Sequence, residues 1–465
     1  MEWDVVIKNG TIVTPGATYK ASLYIKDGKI AAISDQPLEG TVKKETDAAG
    51  KYILPGLIDV HVHSRDPGPT YKEDFFTSTQ AAAAGGITTI FDMPNTTPPT
   101  RDAESFRRQV ANLTPKAHVD FGIWGICLGH LNNKDIPALA EAGVIGFKYF
   151  WGYAINKKTF QLTYNYKADM DDVIAPFSDG EVYEIFQTVA KTGQVLAVHA
   201  EDSSLILKLT DQVKKTGRTD YDALLEGRPN LAEEATVQMG FSFSRASGAR
   251  LHVLHVTTAE GVDAIQQAKK KGAPVSAETC PHYLFLTNKD YPKVGPVMKI
   301  YPPVKYEKDQ ERLWQGINDG TITIISSDHA PHTPEEKNGD LWSIPAGMPG
   351  TETMAPLMLN AVSEGRITLQ QLTALLSENP AKRFGIYPEK GSLEVGTDAD
   401  ITIVDMNKEA VIKAENLHSK SKITAYDGWH IKGVPVETIV RGETVMKDGE
   451  IVHKPLGHVV KPQKS

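Results

Sequence analysis

The stretch Ile53-Leu54-Pro55-Gly56-Leu57-Ile58-Asp59-Val60-His61-Val62-His63 decides how this chain is read. It is a short apolar run that ends in two histidines one residue apart. In an extended strand, residues two apart share a face, so both imidazoles leave the strand end on the same side. A single His-x-His means little. Its weight here comes from the pattern of the rest of the chain. Further apolar runs begin at Ile87, Val119, Val144, Val195, Leu251, Val275 and Ile322, with helix-patterned stretches such as 71–84 and 180–192 between them. Alternating buried strands and helices argue for an α/β chain with a parallel sheet. Eight such strands between residues 55 and 385 fit a closed (β/α)8 TIM-like barrel. A doubly wound open sheet is the alternative. No GxGxxG or Walker-type loop opens a helix, which counts against it.

Outward from the barrel, both ends are strand-rich. Residues 4–34 read as short strands broken at Asn9-Gly10 and Asp27-Gly28, which are hairpin signals. Residues 400–404 and 436–440 repeat that texture, with turns at Arg441-Gly442 and Asp448-Gly449. The expectation is a small β-sandwich domain built from both termini, residues 1–54 and 386–465, around a barrel of residues 55–385. Two unrelated β extensions are the plainer alternative.

The bulk composition narrows the function. At 465 residues there is room for one large domain and a smaller one. Lys and Arg number 50 against 58 Asp and Glu, a formal charge of −8, which argues against a nucleic-acid binder. Two cysteines, Cys127 and Cys280, make neither a disulfide framework nor a Cys-type zinc site. Two reduced thiols in a cytoplasmic protein are expected. Met1-Glu2-Trp3-Asp4 lacks a signal-peptide pattern. No apolar run reaches the roughly 18 residues of a membrane span.

In a (β/α)8 barrel the chemistry sits at the C-terminal strand ends. Those ends carry His61 and His63, then Lys148 in Gly146-Phe147-Lys148, His199 in Val198-His199, His255 in Leu254-His255, and Asp328 in Ser327-Asp328-His329. Any one of these reads most simply as a structural residue. Together around one mouth they read as metal ligands. His and Asp suit zinc first, then manganese, iron or nickel. Five ligands exceed one tetrahedral site and fit two divalent ions about 3.5–4 Å apart. An ammonium at Lys148 would repel such ions. A neutral amine that captures CO2 becomes an anionic carbamate, N6-carboxylysine, and would bridge them. Burial near cations lowers a lysine pKa and makes that amine accessible.

With these motifs, and with Gly85-Gly86-Ile87-Thr88-Thr89, Val198-His199-Ala200-Glu201 and Gly391-Ser392-Leu393-Glu394-Val395-Gly396-Thr397-Asp398-Ala399-Asp400, the chain resembles the cyclic amidohydrolases of the amidohydrolase superfamily. These are the hydantoinases/dihydropyrimidinases, allantoinases and dihydroorotases, and the resemblance covers essentially the whole chain. It implies a hydrolase of cyclic amides. His61 and His63 would hold the more buried metal, His199 and His255 the second, and carbamylated Lys148 both. Asp328 would touch the first metal and act as general base, and Tyr153 would donate a hydrogen bond to the oxyanion.

For the substrate the motifs divide. Arg65, Asn95 and His332 match positions that grip the substrate carboxylate in dihydroorotases, and a guanidinium fork, an amide and an imidazole suit a planar anion. The alternative for Arg65 is a pairing with Asp66 or Asp92. Glu278-Thr279-Cys280-Pro281-His282-Tyr283-Leu284 looks like allantoinases, and Val294-Gly295-Pro296-Val297-Met298-Lys299 like hydantoinases. Backbone groups around Tyr301 and Gly347 would hold the ring. The expectation is a dihydroorotase-like enzyme acting on a carboxylate-bearing ring, with hydantoinase or allantoinase as the alternative. A dihydropyrimidinase-like scaffold without activity is the non-enzymatic alternative, and the intact ligand set counts against it. Relatives imply a homodimer or homotetramer.

Overall fold

The computed structural model describes residues 2–163, 166–167 and 169–463. Its central feature is a ring of parallel strands: β1 (Leu57–Val62), β2 (Ile87–Asp92), β3 (Asp120–Ile123), β4 (Phe147–Phe150), β5 (Val195–His199), β6 (Arg250–Val253), β7 (Ser276–Thr279) and β8 (Ile324–Ile325). Neighbours pair in parallel around the ring. The β3–β4 seam is made by Ile145 N–H donating to Ile123 O (2.9 Å) and Gly125 N–H to Gly146 O (2.9 Å). The last seam is closed by His63 N–H donating to His329 O (2.7 Å) and His329 N–H to His61 O (3.2 Å). The architecture is the expected TIM barrel.

Every residue of β1 and β2 is buried, as strands covered on both faces must be. Inside the ring, Ile58, Val60, Phe91, Trp124, Val195 and Ile324 join one cluster with Phe384. Phe384 meets Phe91 and Trp124 edge-on, with centroids 5.3 and 5.2 Å apart. The helix expected over 71–84 begins at Phe75, because Asp74 caps it by accepting Thr77 N–H at 2.9 Å.

The strand read from Ile53 is two strands in different sheets. Tyr52–Pro55 pairs with Thr11–Thr14 and Ile401–Val411, and only after Gly56 does β1 enter the barrel. A Cβ on Gly56 would lie 2.2 Å from Thr88 Oγ1, and its N–H donates to Asp400 O at 2.8 Å. The chain changes sheets at this close contact. A hydrophobic run is continuous across such a change, so its pattern does not reveal it.

Both termini share the second body. A seven-stranded sheet interleaves N-terminal and C-terminal strands, and a four-stranded sheet is wholly N-terminal. Ile7, Leu23 and Ile30 of the smaller sheet pack with Ile53, Ile401 and Ile439 of the larger. Parts of the stretch expected in this domain leave the sheets. Ser419 and Ser421 donate to Glu73 and to His332 O on the barrel mouth side. Near the C-terminus, Val460 N–H donates to Phe121 O at 2.8 Å. Positions 1, 464 and 465 lie outside the described residues. Among the described residues no helix is long and apolar enough to cross a membrane.

A buried ion cluster joins the two bodies. Lys390 Nζ lies 2.5 Å from Asp120, 2.6 Å from Asp400 and 2.9 Å from Asp398, and Arg441 also pairs with Asp120. These acids resemble a cation site. The ammonium and guanidinium already fill that role.

Candidate active site

The strand ends open into a cavity of about 660 Å³. His61, His63, Lys148, His199, His255 and Asp328 line it, and so do Tyr153, Arg65, Asn95, His332, Tyr301 and Gly347. The structure therefore brings every residue singled out by the sequence to one concavity.

The imidazoles fall into two groups. His61 Nε2 and His63 Nε2 lie 3.2 and 3.5 Å from Asp328 Oδ1, forming a cluster with metal-ligand spacing. His199 Nδ1 faces His255 Nε2 at 3.0 Å. Zinc–nitrogen bonds of about 2.0–2.1 Å place tetrahedral ligand nitrogens roughly 3.3 Å apart, close to this separation. His61 and His255 ring centroids are 5.4 Å apart, so the two groups adjoin.

Acceptors behind the rings fix which nitrogen is available. Glu278 Oε1 lies 2.7 Å from His61 Nδ1, and its other oxygen 2.9 Å from His252 Nε2. Burial raises the Glu278 carboxyl, but attraction to His61 and hydrogen bonds from both imidazoles outweigh it and hold the group ionised. A carboxylate only accepts, so His61 Nδ1 carries the proton and Nε2 keeps its lone pair for a metal. Glu201 does the same for His199, at 2.9 Å from Nε2. Burial opposes its ionisation, but Arg228 and His199 bring it down to about 2. For His63 the acceptor is Asn95 Oδ1, 2.9 Å from Nδ1. Neutral imidazoles are what metals bind. Burial pushes His63 down to about 3 and His255 well below its ordinary value.

Lys148 is 1% exposed, its Nζ 4.5 Å above the Phe150 ring. Burial pushes its ammonium down to about 7, against the pull of Asp328 and Glu278. Such a lysine presents a reactive neutral amine near neutrality. The donor set of four imidazoles, one carboxylate and this amine fits a pair of divalent ions.

The backbone is strained at three of these residues. Arg65, His255 and Asp328 have φ of +62°, +35° and +45°. Left-handed non-glycine residues cost on the order of 1–3 kcal/mol each and gather where geometry matters more than stability.

On the substrate side, Arg65 Nη2 lies 3.4 Å from Pro331 O and 3.5 Å from His332 Nε2. The carboxylates considered as its partners are engaged elsewhere, Asp66 with Lys116 (2.6 Å) and Asp92 with Ser64 (2.6 Å). Lys72 Nζ donates to His332 Nδ1 at 3.1 Å, so His332 Nε2 carries the proton and gives it to Ala346 O at 3.0 Å. His332 is thus fixed by Lys72 and Ala346, and Asn95 by His63. Gly347 has φ +135°, and a Cβ there would meet Ala330 O at 2.4 Å. Only glycine brings this backbone so close to the strand-eight loop.

The sequence reading did not assign roles to Glu278, Glu201 and Arg228. Glu201 stands two residues after His199, a spacing that signals a shared side. Glu278 closes β7 where a strand-end ligand search would look. Arg228, between a helix end and Pro229, carries no such signal. Trp151, the residue after β4, stacks on Phe243 at 9° and 6.0 Å within the core.

A family model described as "Amidohydrolase family" matches residues 52–445. The chain belongs to the amidohydrolase family. An L-hydantoinase of Paenarthrobacter aurescens is 36% identical over 97% of this chain and 96% of its own length. An allantoinase of Rubrobacter xylanophilus is 36% identical over 99% of this chain and 98% of its own. A dihydroorotase of Pyrococcus furiosus is also 36% identical, over 99% and 97%. The solved L-hydantoinase from Arthrobacter aurescens superimposes with a TM-score of 0.92, covering 99% of this chain and all of that one. The expectation of an enzyme of the cyclic amide hydrolase group stands. Equal identity to three activities leaves the ring undecided by overall similarity.

Proposed function

We propose that this family member hydrolyses the amide bond of a cyclic ureide that carries a carboxylate, a dihydroorotase-like reaction. The observation that carries the carboxylate is the Arg65 guanidinium, which donates to Pro331 O in the same cavity as the ligand cluster. A planar fork binds a carboxylate through two parallel hydrogen bonds.

His61, His63 and Asp328 would hold one divalent ion, most simply zinc, and His199 and His255 a second, with carbamylated Lys148 between. Such ions, when bound, supply an acidified water and polarise the ring carbonyl. Asp328 sits at the mouth, held ionised by His61, His63 and His255 despite its burial. It takes a proton from the attacking side and returns it to the leaving ring nitrogen. Tyr153, its hydroxyl 3.4 Å from His199 Nε2, donates to the carbonyl oxygen as negative charge develops. Arg65 orients the ring, and backbone groups around Tyr301 and Gly347 hold it.

A second reading has support of its own. Asn95 Oδ1 is engaged by His63, and the His332 Nε2 proton by Ala346. Of the three carboxylate-binding positions His332 then gives its proton to the protein and not to substrate, and the thinner anion clamp that remains suits an uncharged hydantoin or allantoin. A panel of dihydroorotate, allantoin, dihydrouracil and hydantoins with and without a carboxyl side chain separates the two. The primary reading expects the highest kcat/KM for dihydroorotate. It falls if uncarboxylated rings are turned over and dihydroorotate is not.

A further inference from the structure

We infer that Lys337 is a positioning residue that ties together the two backbone segments proposed above to hold the ring, an inference that rests on that reading. The segments are 299–301, in the loop after β7, and 345–347, in the loop after β8. Neither belongs to a helix or a strand, so no ladder of main-chain bonds keeps them in register. Lys299, Tyr301 and all of 342–347 line the cavity. Lys337 is buried behind them, at 4% exposure.

The Lys337 ammonium bridges the two. Its Nζ donates to Lys299 O at 2.8 Å and to Pro345 O at 3.0 Å. Lys299 O also accepts the Gly347 N–H at 3.0 Å, so one carbonyl gathers a donor from each end of the second loop. Lys299 returns the contact with its own side chain. Its Nζ donates to Ile344 O, and lies 3.5 Å from Trp342 O and 5.6 Å from the centre of the Tyr301 ring. The carbonyls of Trp342, Ile344 and Pro345 thus face two ammoniums, each with three protons to give. A buried carbonyl needs a donor, and these have no strand partner to supply one.

A role in stability alone fits this arrangement poorly. Glu336, the neighbouring carboxylate in the chain, turns to Lys72 at 2.8 Å. Among the described residues no acid lies within ion-pair distance of either ammonium, and both donate to main-chain carbonyls. Burying a charge without a counter-ion is costly, and packed apolar side chains often serve folding as well. What the Lys337 ammonium supplies, and an apolar chain cannot, is a fixed distance between the two segments.

The test compares Lys337→Met with wild type in metal-loaded protein. It measures kcat and KM on every ureide of the panel that the wild type opens, bound metal by elemental analysis, and hydrogen exchange of the peptide spanning residues 341–348. KM should rise about 10-fold, the scale of one charged hydrogen bond. The kcat should stay within a few-fold, because ground state and transition state lose the same contacts. The rise should be equal for rings with and without a carboxyl, metal should be unchanged, and exchange at 341–348 should be several-fold faster. An unchanged KM, lost metal or unchanged exchange would each overturn the inference. So would a rise confined to carboxylated rings, which marks the charge of the lysine and not the tie. If Lys337→Met does not fold, Lys337→Ala is measured with and without propylammonium. The added amine should bring KM back toward wild type, and no recovery overturns the inference. If the wild type opens no ureide, the proposed reaction fails, and the exchange still decides whether Lys337 joins the two segments.

Discussion

Replacing Lys390 by methionine removes the ammonium that lies within 2.9 Å of Asp120, Asp398 and Asp400 where the barrel meets the β domain. The three acids are not left equal. Asp120 keeps Arg441 and the His458 N–H, and Asp398 keeps Lys29 at 2.8 Å. Asp400 keeps the Arg441 N–H, at 2.8 Å from Oδ1. Breaking a buried pair costs about 3–5 kcal/mol, and the surviving partners place this variant near 3 kcal/mol. At about 2 cal/mol/K of unfolding entropy per residue, a chain of this length loses about 3 °C of Tm. The pH dependence is the sharper signature. In the wild type the three carboxylates raise the Lys390 ammonium above its ordinary value of 10.5, despite burial. Its contribution is complete below that value and is lost only as pH climbs through the raised one, so it is constant from pH 5 to 8. Asp400 is held above the usual carboxylate range by burial even beside Lys390. Without the lysine it rises further, so protonation stabilises the folded variant at low pH and that gain is lost as pH rises. Calorimetry at pH 8 and pH 5 should show the deficit shrinking on acidification. Adding Asp400→Asn should recover part of it at pH 8. A deficit under 1 °C at pH 8, or one that grows toward pH 5, refutes this account.

Other outcomes test the site. Lys148→Ala should lose bound metal and activity, with partial rescue by short carboxylic acids that supply the missing bridge; full metal content without rescue contradicts the carbamate. Glu278→Ala frees the His61 tautomer and should weaken metal binding by about 10–100-fold, read by competition with a chelator. Arg65→Ala should reduce kcat/KM for carboxylated rings far more than for uncarboxylated ones; equal losses remove the anion clamp.

The strand–helix alternation and the groups at His61, His63, Lys148, His199, His255 and Asp328 were legible in the chain. A parallel barrel buries each strand on both faces and sends its C-terminal end to one mouth, so local order maps onto a shared site. Tertiary structure alone decided what stands behind those groups. The change of sheet at Gly56 depends on Thr88 and Asp400. The His61 tautomer depends on Glu278, 217 residues away. The placing of Asn95 on His63, and of His332 on Ala346, likewise came from packing. A motif fixes which side chains leave a strand end. The hydrogen bonds that aim them come from distant segments, whose spacing along the chain carries no record of the contact.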